Sequence, residues 1–237
     1  MPKLLITLLM PLLLMAYKKP YLPDSKRAAD IRTTVWPRLQ KRLKNSGLRD
    51  DQPIYIRIFK DSHLLEVWVR SGKQYKLFNK YMICSFSGGL GTKTRDGDGK
   101  CPEGYYTIKP AQLNPVSNYH LAINVGYPNT YDQQLGYTGN SIMIHGNCVS
   151  IGCYAMTDPQ IEEIYTMVYE AFAHGQQSIN VDIFPFRLTN ERLDTYSEWP
   201  TLPFWKSLKP GYDIFEHTHV PPVVDVVNKN YVFAQNR

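Results

Sequence analysis

Apolar and polar residues alternate from Pro53 onward in short runs separated by turn residues. Ile54, Ile56 and Ile58 alternate with Tyr55 and Arg57, and Leu65, Val67 and Val69 alternate with Glu66, Trp68 and Arg70. A period of two belongs to a strand, and Lys60-Asp61-Ser62 between the runs predicts a hairpin. Gly72 marks a second turn, and Gln74 to Ser85 reads as a third strand. Ser87-Gly88-Gly89-Leu90-Gly91 and Asp96-Gly97-Asp98-Gly99 then break the pattern, before Cys101-Pro102-Glu103-Gly104 turns into Tyr105-Tyr106-Thr107-Ile108. Further on, Ser178 to Phe184 reads as a strand and Val223 to Phe233 as a hairpin. Short strands with frequent glycine turns predict a mainly β domain with flanking helices, built as a sandwich or barrel.

The period lengthens to helical in two places. Asp158 reads as a cap and Pro159 as the first helical residue, with Ile161, Ile164, Tyr165, Val168 and Phe172 on one face and Gly175 as the stop. Asp24 to Lys44 reads as a basic helix interrupted by Pro37, with an apolar stripe of Val35, Trp36, Leu39 and Leu43, ended by Asn45-Ser46-Gly47. Trp199 to Leu208 reads as a short helix or loop. The chain thus divides into a basic helical arm over 17–50 and a folded domain over 51–237.

Ahead of the arm, Lys3 precedes a mainly apolar run from Leu4 to Ala16. A positive start and a short apolar stretch describe a secretory signal peptide or an N-terminal anchor over residues 1–16; the run is too short to span a membrane. Export to a periplasm or cell envelope follows, and with it an oxidising compartment.

Charge sharpens this division. The 237-residue chain is 43% hydrophobic and 20% charged, as a globular protein is, and its net charge of +6 invites a nucleic-acid partner. Residues 1–50 hold 11 basic side chains against three acidic ones, so the remaining chain carries −2. The domain has no surplus to offer phosphate, which excludes nucleic acid. The arm alone suits an anionic surface and peripheral membrane contact.

The densest chemistry lies in Ser141-Ile142-Met143-Ile144-His145-Gly146-Asn147-Cys148-Val149-Ser150-Ile151-Gly152-Cys153-Tyr154. A thiol attacks a carbonyl as thiolate, and its ordinary pKa leaves little of that form at neutral pH, so a neighbouring imidazole is needed as base. His145 fits the base, Cys153 the nucleophile, and Gly152 the small residue that lets backbone N–H groups approach an oxyanion. Two other readings compete. Cys148 and Cys153 could pair in an exported chain of four cysteines, as could Cys84 and Cys101. His145, Cys148 and Cys153 could ligate zinc, although the spacing lacks a clear fourth ligand. Cys84 follows alternating apolar residues and reads as core. His63, His120, His174, His217 and His219 read as surface or satisfied histidines. Arg95, Asp96 and Asp98 read as a solvated turn, and Tyr105, Tyr106, Tyr119, Tyr127, Tyr131 and Tyr137 as packing that could also line a peptide groove.

A strand-His-Gly followed by Ser-x-Gly-Cys resembles the signature of the L,D-transpeptidases, the YkuD-domain family of cysteine enzymes acting on peptidoglycan stem peptides. Ser87-Gly88-Gly89 and Cys101-Pro102-Glu103-Gly104-Tyr105-Tyr106-Thr107-Ile108 resemble other segments of that family. Val149 to Thr157 and Lys209-Pro210-Gly211-Tyr212-Asp213 place the resemblance nearest its YafK-type branch. It implies a YkuD-like β-sandwich in which Cys153 is the nucleophile and His145 the base. It further implies that the Gly146 carbonyl orients the imidazole, that the Gly152 and Cys153 N–H groups receive the oxyanion, and that no cofactor takes part. The implied reaction makes a thioester from a stem peptide and passes it to an amine. The alternative within the family is hydrolysis of an amide at diaminopimelate, including a link to an envelope lipoprotein. In the motif Ser150-Ile151-Gly152-Cys153, Ile151 stands where the common pattern has a second histidine, and Ala155 where it has an arginine. Only seven residues separate His145 from Cys153. A reading from another class is a non-catalytic envelope-binding module with structural cysteines.

Overall fold

The computed structural model describes residues 21–235. The signal peptide or anchor expected over 1–16 lies outside the described residues. Among the described residues no helix is long and apolar enough to cross a membrane. In chain order the main elements are α1 (Lys26–Asn45), β1 (Ile54–Phe59), β2 (Leu64–Ser71), β3 (Gln74–Met82), β4 (Gly104–Ile108), β5 (Leu113–Asn114), β6 (Ala122–Asn124), α2 (Thr130–Gln134), β7 (Met143–His145), β8 (Tyr154–Ala155), α3 (Asp158–Ala173), β9 (Ile179–Phe184), α4 (Asn190–Thr195), α5 (Leu202–Thr218), β10 (Val223–Val227) and β11 (Asn230–Ala234).

The strands form a five-stranded sheet in the order β3-β2-β1-β9-β4, a four-stranded sheet in the order β5-β6-β7-β8, and the β10-β11 hairpin. Among the described residues, only β1–β9 and β7–β8 pair in parallel. The architecture is α+β, as the turn-rich alternating pattern implies. Ile54, Ile56, Ile58, Leu65, Val67 and Val69 face a core shared with α1, α3 and the smaller sheet. The opposite face is covered too: Phe59, Tyr105 and Phe184 pack under Trp205, Leu208 and Tyr212 of α5. The alternation in β1 therefore separates two covered faces, and all six of its residues are buried.

Covering both faces forces polar side chains inside. The Arg57 guanidinium is buried among the rings of Phe59, Phe184, Tyr212 and Phe215 and reaches Glu216 at 2.6 Å. Asp182 lies opposite Arg57 in the β1–β9 register and accepts the Tyr55 hydroxyl. Burial pushes its carboxyl from 3.8 to about 7, against the pull of Tyr55 and Arg57. A raised pKa means that the folded protein keeps a proton the unfolded chain has released. The resulting stability is full below the unfolded pKa and lost as pH rises through 7. Stability should fall by about 1.4 kcal/mol per pH unit across that window from this group alone. Asp182→Asn should flatten the slope, read from urea midpoints at pH 5 and pH 7.

Three local expectations need correction. Pro37 does not break α1: it lies on the exposed side, where the carbonyl left without an amide partner is open to water. The cap of α3 is Thr157, whose N–H donates to Gln160 Oε1 at 3.3 Å, and Asp158 is the first helical residue. The segment from Trp199 is neither short nor a loop, because α5 runs through Pro210 to Thr218. It tolerates Gly211 there because any Cβ would sit 2.4 Å from Phe233 and from the Tyr105 hydroxyl.

Candidate active site

The small sheet builds the site. β7 runs into His145, and β8 begins just after Cys153. Their parallel register pairs Ile144 with Tyr154 and His145 with Ala155. Cys153 therefore falls beside Met143, whose N–H approaches its sulfur at 3.4 Å, and on the same face as His145. The far side of β8 is held by the segment after β3, where Ala155 exchanges backbone hydrogen bonds with Ser85 and accepts from the Cys84 N–H at 2.8 Å. A seven-residue loop suffices to return the chain because the strands it joins are adjacent.

His145 is fixed in one tautomer. Its Nδ1 lies 2.7 Å from the Gly146 carbonyl, which can only accept, so Nδ1 carries the proton and Nε2 keeps its lone pair. The Tyr119 ring lies against the imidazole at 4.8 Å and is itself 45% exposed. Gly146 donates to the Tyr119 and Leu121 carbonyls, and a Cβ there would stand 2.6 Å from Asp158 Oδ1, so no larger residue fits. Asp158 also accepts the Asn147 N–H at 2.8 Å, fixing the chain just beyond His145. In sequence Tyr119 is one of six tyrosines that could line a groove and Asp158 reads as a helix cap, so neither points to the loop of His145.

Burial lowers the His145 pKa, with the Gly146 hydrogen bond opposing it. Burial raises the Cys153 thiol above 9.0, opposed by the Met143 N–H and the Lys93 ammonium. The resting pair is accordingly a neutral thiol and a neutral imidazole. A thiol and an imidazole that both rest neutral hold no stored ion pair.

Ser150 organises the turn into Cys153. Its Oγ accepts from the N–H groups of Gly152 at 3.1 Å and Cys153 at 2.8 Å, and donates to the Cys153 carbonyl at 2.6 Å. The two N–H groups expected to face an oxyanion thus converge on one oxygen atom. Gly152 has φ +144°, a conformation closed to other residues. Ile151, in the position of the family's second histidine, projects into solvent at 90% exposure.

Neither pairing that the sequence left open is formed, and the free Cys153 is the one that the family resemblance implies. Cys84 pairs with Cys148, with Cα atoms 5.3 Å apart, and Cys101 and Cys153 are free. Cys84 is exposed and disulfide-bonded, so the core reading of it is wrong. The cause is the pairing of β8 with residues 84–85, which brings the start of the loop against the end of β3. Bonded this way, Cys148 has no thiolate to offer a metal. Cys101 lies beneath the site, its sulfur 3.4 Å from the Cys153 carbonyl.

Two ion pairs hold the neighbouring loops. Lys60 and Glu103 are both fully buried, their charges 2.9 Å apart. Lys60 also donates to the Gly91 and Cys101 carbonyls, while Glu103 accepts from the Gly91 N–H at 2.7 Å and from Trp205 Nε1 at 2.8 Å. Lys93 pairs with Asp98 at 2.9 Å. Burial alone would raise the Asp98 carboxyl; Lys93 and the N–H groups of Thr94, Lys100 and Arg95 hold it well below the usual range. The Asp96-Gly97-Asp98-Gly99 turn is therefore pinned from inside. His120 pairs with Glu162, while His174 and His217 bond backbone carbonyls of their own helices, which satisfies them as expected. Tyr105, Tyr106, Tyr127 and Tyr131 are buried packing, leaving Tyr119 and Tyr137 near the site.

Among the described residues, two cavities stand out. One of about 650 Å³ lies between β4, β9 and the C-terminal hairpin, and no residue of the Cys153 site lines it. The other, of about 490 Å³, is walled by the loop from Thr92 to Lys100 and by the start of α5.

Comparison with known proteins shows the family. The YkuD family, described as an L,D-transpeptidase catalytic domain, matches residues 53–183. A protein of Escherichia coli K12 named "Putative L,D-transpeptidase YafK" is 50% identical over 183 residues, covering 77% of this chain and 74% of that one. Among solved structures, a mutant of the helical cell shape determining protein Pgp2 from Campylobacter jejuni matches with 22% identity and a TM-score of 0.48. That match covers 71% of this chain and 59% of the other, under two thirds of its length. The unmutated Pgp2 matches with 19% identity and a TM-score of 0.45, covering 79% of each.

Proposed function

We propose that this chain, which belongs to the YkuD family of L,D-transpeptidase catalytic domains, forms a thioester at Cys153 from a peptidoglycan stem peptide and passes the acyl group to an amine. The observation that carries the reading is the His145 tautomer: with Nδ1–H given to Gly146, the free Nε2 lone pair lies on the same sheet face as the Cys153 thiol. Nε2 takes the thiol proton as sulfur attacks the carbonyl that follows the L-centre of diaminopimelate. The imidazolium then gives that proton to the departing amine. The acceptor amine attacks the thioester, its proton passes to Nε2, and the thiolate leaves and is reprotonated. In the tetrahedral states the oxyanion replaces Ser150 Oγ as acceptor for the Gly152 and Cys153 N–H groups. The apolar run before α1 and the Cys84–Cys148 bond support an exported, envelope location.

Mass spectrometry of a peptidoglycan digest incubated with the protein tests the reaction. Cross-linked dimers are expected. Shortened stems or a freed envelope lipoprotein would assign hydrolysis instead, and no change would overturn the reading.

A second measurement tests the base. Because burial keeps His145 neutral below its usual 6.5, kcat/KM should hold down to pH 6.5 and fall only beneath it. An acid limb centred above pH 7 would contradict His145 as the group that titrates.

A further inference from the structure

The cavity of about 650 Å³ lies on the α5 face of the five-stranded sheet, and its size is that of a small-molecule site. Its floor is polar. Tyr105 stands opposite Asp182 and Thr107 opposite Asn180 in the β4–β9 register, so these four side chains share one face. That face is the one covered by α5 and the hairpin, because the Tyr105 hydroxyl donates to the Leu208 carbonyl. Asp182 therefore points up into the cavity it lines, although it is only 3% exposed. Tyr55 donates to its Oδ2, whereas Oδ1 accepts from no described residue and is not sealed off. The side chains of Thr107 and Asn180 also make no hydrogen bond among the described residues.

The roof is apolar. Val224 and Val226 alternate along β10 with the exposed Val223 and Asp225, turn back toward the core under α5, and line the cavity with Tyr231 of β11. A ligand that fills this space must offer hydrogen-bonding groups on one side and apolar surface on the other.

Charge narrows the class. An anion would meet the Asp182 carboxyl, and a cation would meet Arg57, buried beside Asp182 in the β1–β9 register. Burial keeps Asp182 protonated up to about pH 7, so its carboxyl can donate as well as accept. Lys109 is exposed at the far end of the floor, where solvent screens it. An extended peptide would need open strand edges to pair with. Those beside the cavity are engaged: the Tyr105 carbonyl accepts from Asn129 Nδ2 at 2.8 Å, and the Val226 N–H donates to Asp225 Oδ1 at 2.7 Å. A neutral pyranose ring, with hydroxyls at its rim and C–H groups on its face, satisfies both walls.

We propose that this cavity binds a neutral pyranose sugar, with Asp182, Asn180 and Thr107 bonding its hydroxyls and Val224, Val226 and Tyr231 packing on its C–H face. The chemistry at Cys153 does not enter this inference. A free sugar and a sugar unit within a glycan chain share the recognised groups, and the test separates them.

The full chain, labelled with nitrogen-15, is titrated with glucose, N-acetylglucosamine and the β-1,4-linked trimer of each, and amide NMR shifts are followed. At least one of the four should bind with a Kd of about 1 mM or tighter and shift Thr107, Asn180 and Val224 to Val226. A trimer that binds at least about tenfold more tightly than its monosaccharide assigns a glycan chain, and equal binding assigns a free sugar. Asn180→Ala and Thr107→Val, both at solvent-accessible positions, should each weaken that binding by about 3–10-fold, the loss of one neutral hydrogen bond. No shifts with any of the four sugars, shifts confined to the loop from His145 to Cys153, or affinities unchanged in both variants would overturn the site.

Discussion

Cys153→Ala is expected to reduce turnover of stem peptides to background, and His145→Ala to lower kcat/KM by about 10²–10⁴-fold. The two losses differ in kind. Without the sulfur no thioester exists, so intact-mass spectra of Cys153→Ala protein should show no acyl adduct at any time. Without the imidazole the thiol survives, but burial holds it above 9.0, and attack then depends on the small thiolate fraction. Residual activity of His145→Ala should therefore climb with pH toward and beyond 9, where the intact site is flat. Neither change should unfold the protein. Cys153 is half-buried, and alanine removes one sulfur, for a cost of about 1 kcal/mol or less. A Cys153→Ala protein with full turnover would end the assignment.

The second large effect concerns stability. Lys60→Met should destabilise the fold by about 3–5 kcal/mol, because it strands the Glu103 carboxylate in a fully buried position. For a chain of this length that is a fall of roughly 10 °C in Tm. The paired change Lys60→Met with Glu103→Leu should recover much of the loss, since a buried ion pair costs desolvation that apolar side chains do not. Differential scanning calorimetry of the two single variants and the double variant reads the coupling directly. A single variant that melted within 2 °C of the parent would show that the pair is not what holds Gly91 and Cys101 in place.

Much of this organisation is legible in the sequence, and the limits have physical causes. β1, β2, β9 and the β10-β11 hairpin follow from a period of two that turn residues bound cleanly. His145 and Cys153 stand out because so few residue types can activate a thiol. Sequence periodicity says nothing about how many layers cover a sheet, so the burial of Arg57 and Asp182 beneath α5 is invisible until α5 is placed. Proline misleads at Pro37, since a proline on an open helix face loses only a bond that water replaces, and α5 runs through the exposed Pro210 in the same way. The partner of Cys148 is hidden for a topological reason. Cys84 and Cys148 are 64 residues apart and meet only because β8 pairs with the segment after β3. Thr107 and Val224 likewise belong to segments that only the tertiary fold brings to one cavity.

The Cys84–Cys148 bond has a consequence for how the chain matures. Four thiols can form a first bond in six ways, and any oxidant strong enough to join Cys84 to Cys148 can also consume the nucleophile. The fold discriminates among them by protonation and access. Burial pushes the Cys101 thiol up to about 12 and raises that of Cys153, so both remain protonated and slow to exchange once packed. Cys84 and Cys148 stay at the surface, on residues that backbone hydrogen bonds to Ala155 and Met156 bring together before any bond forms. Oxidative maturation is thus sorted by the small sheet: its closure aligns the pair that must be oxidised and shields the sulfur that must not.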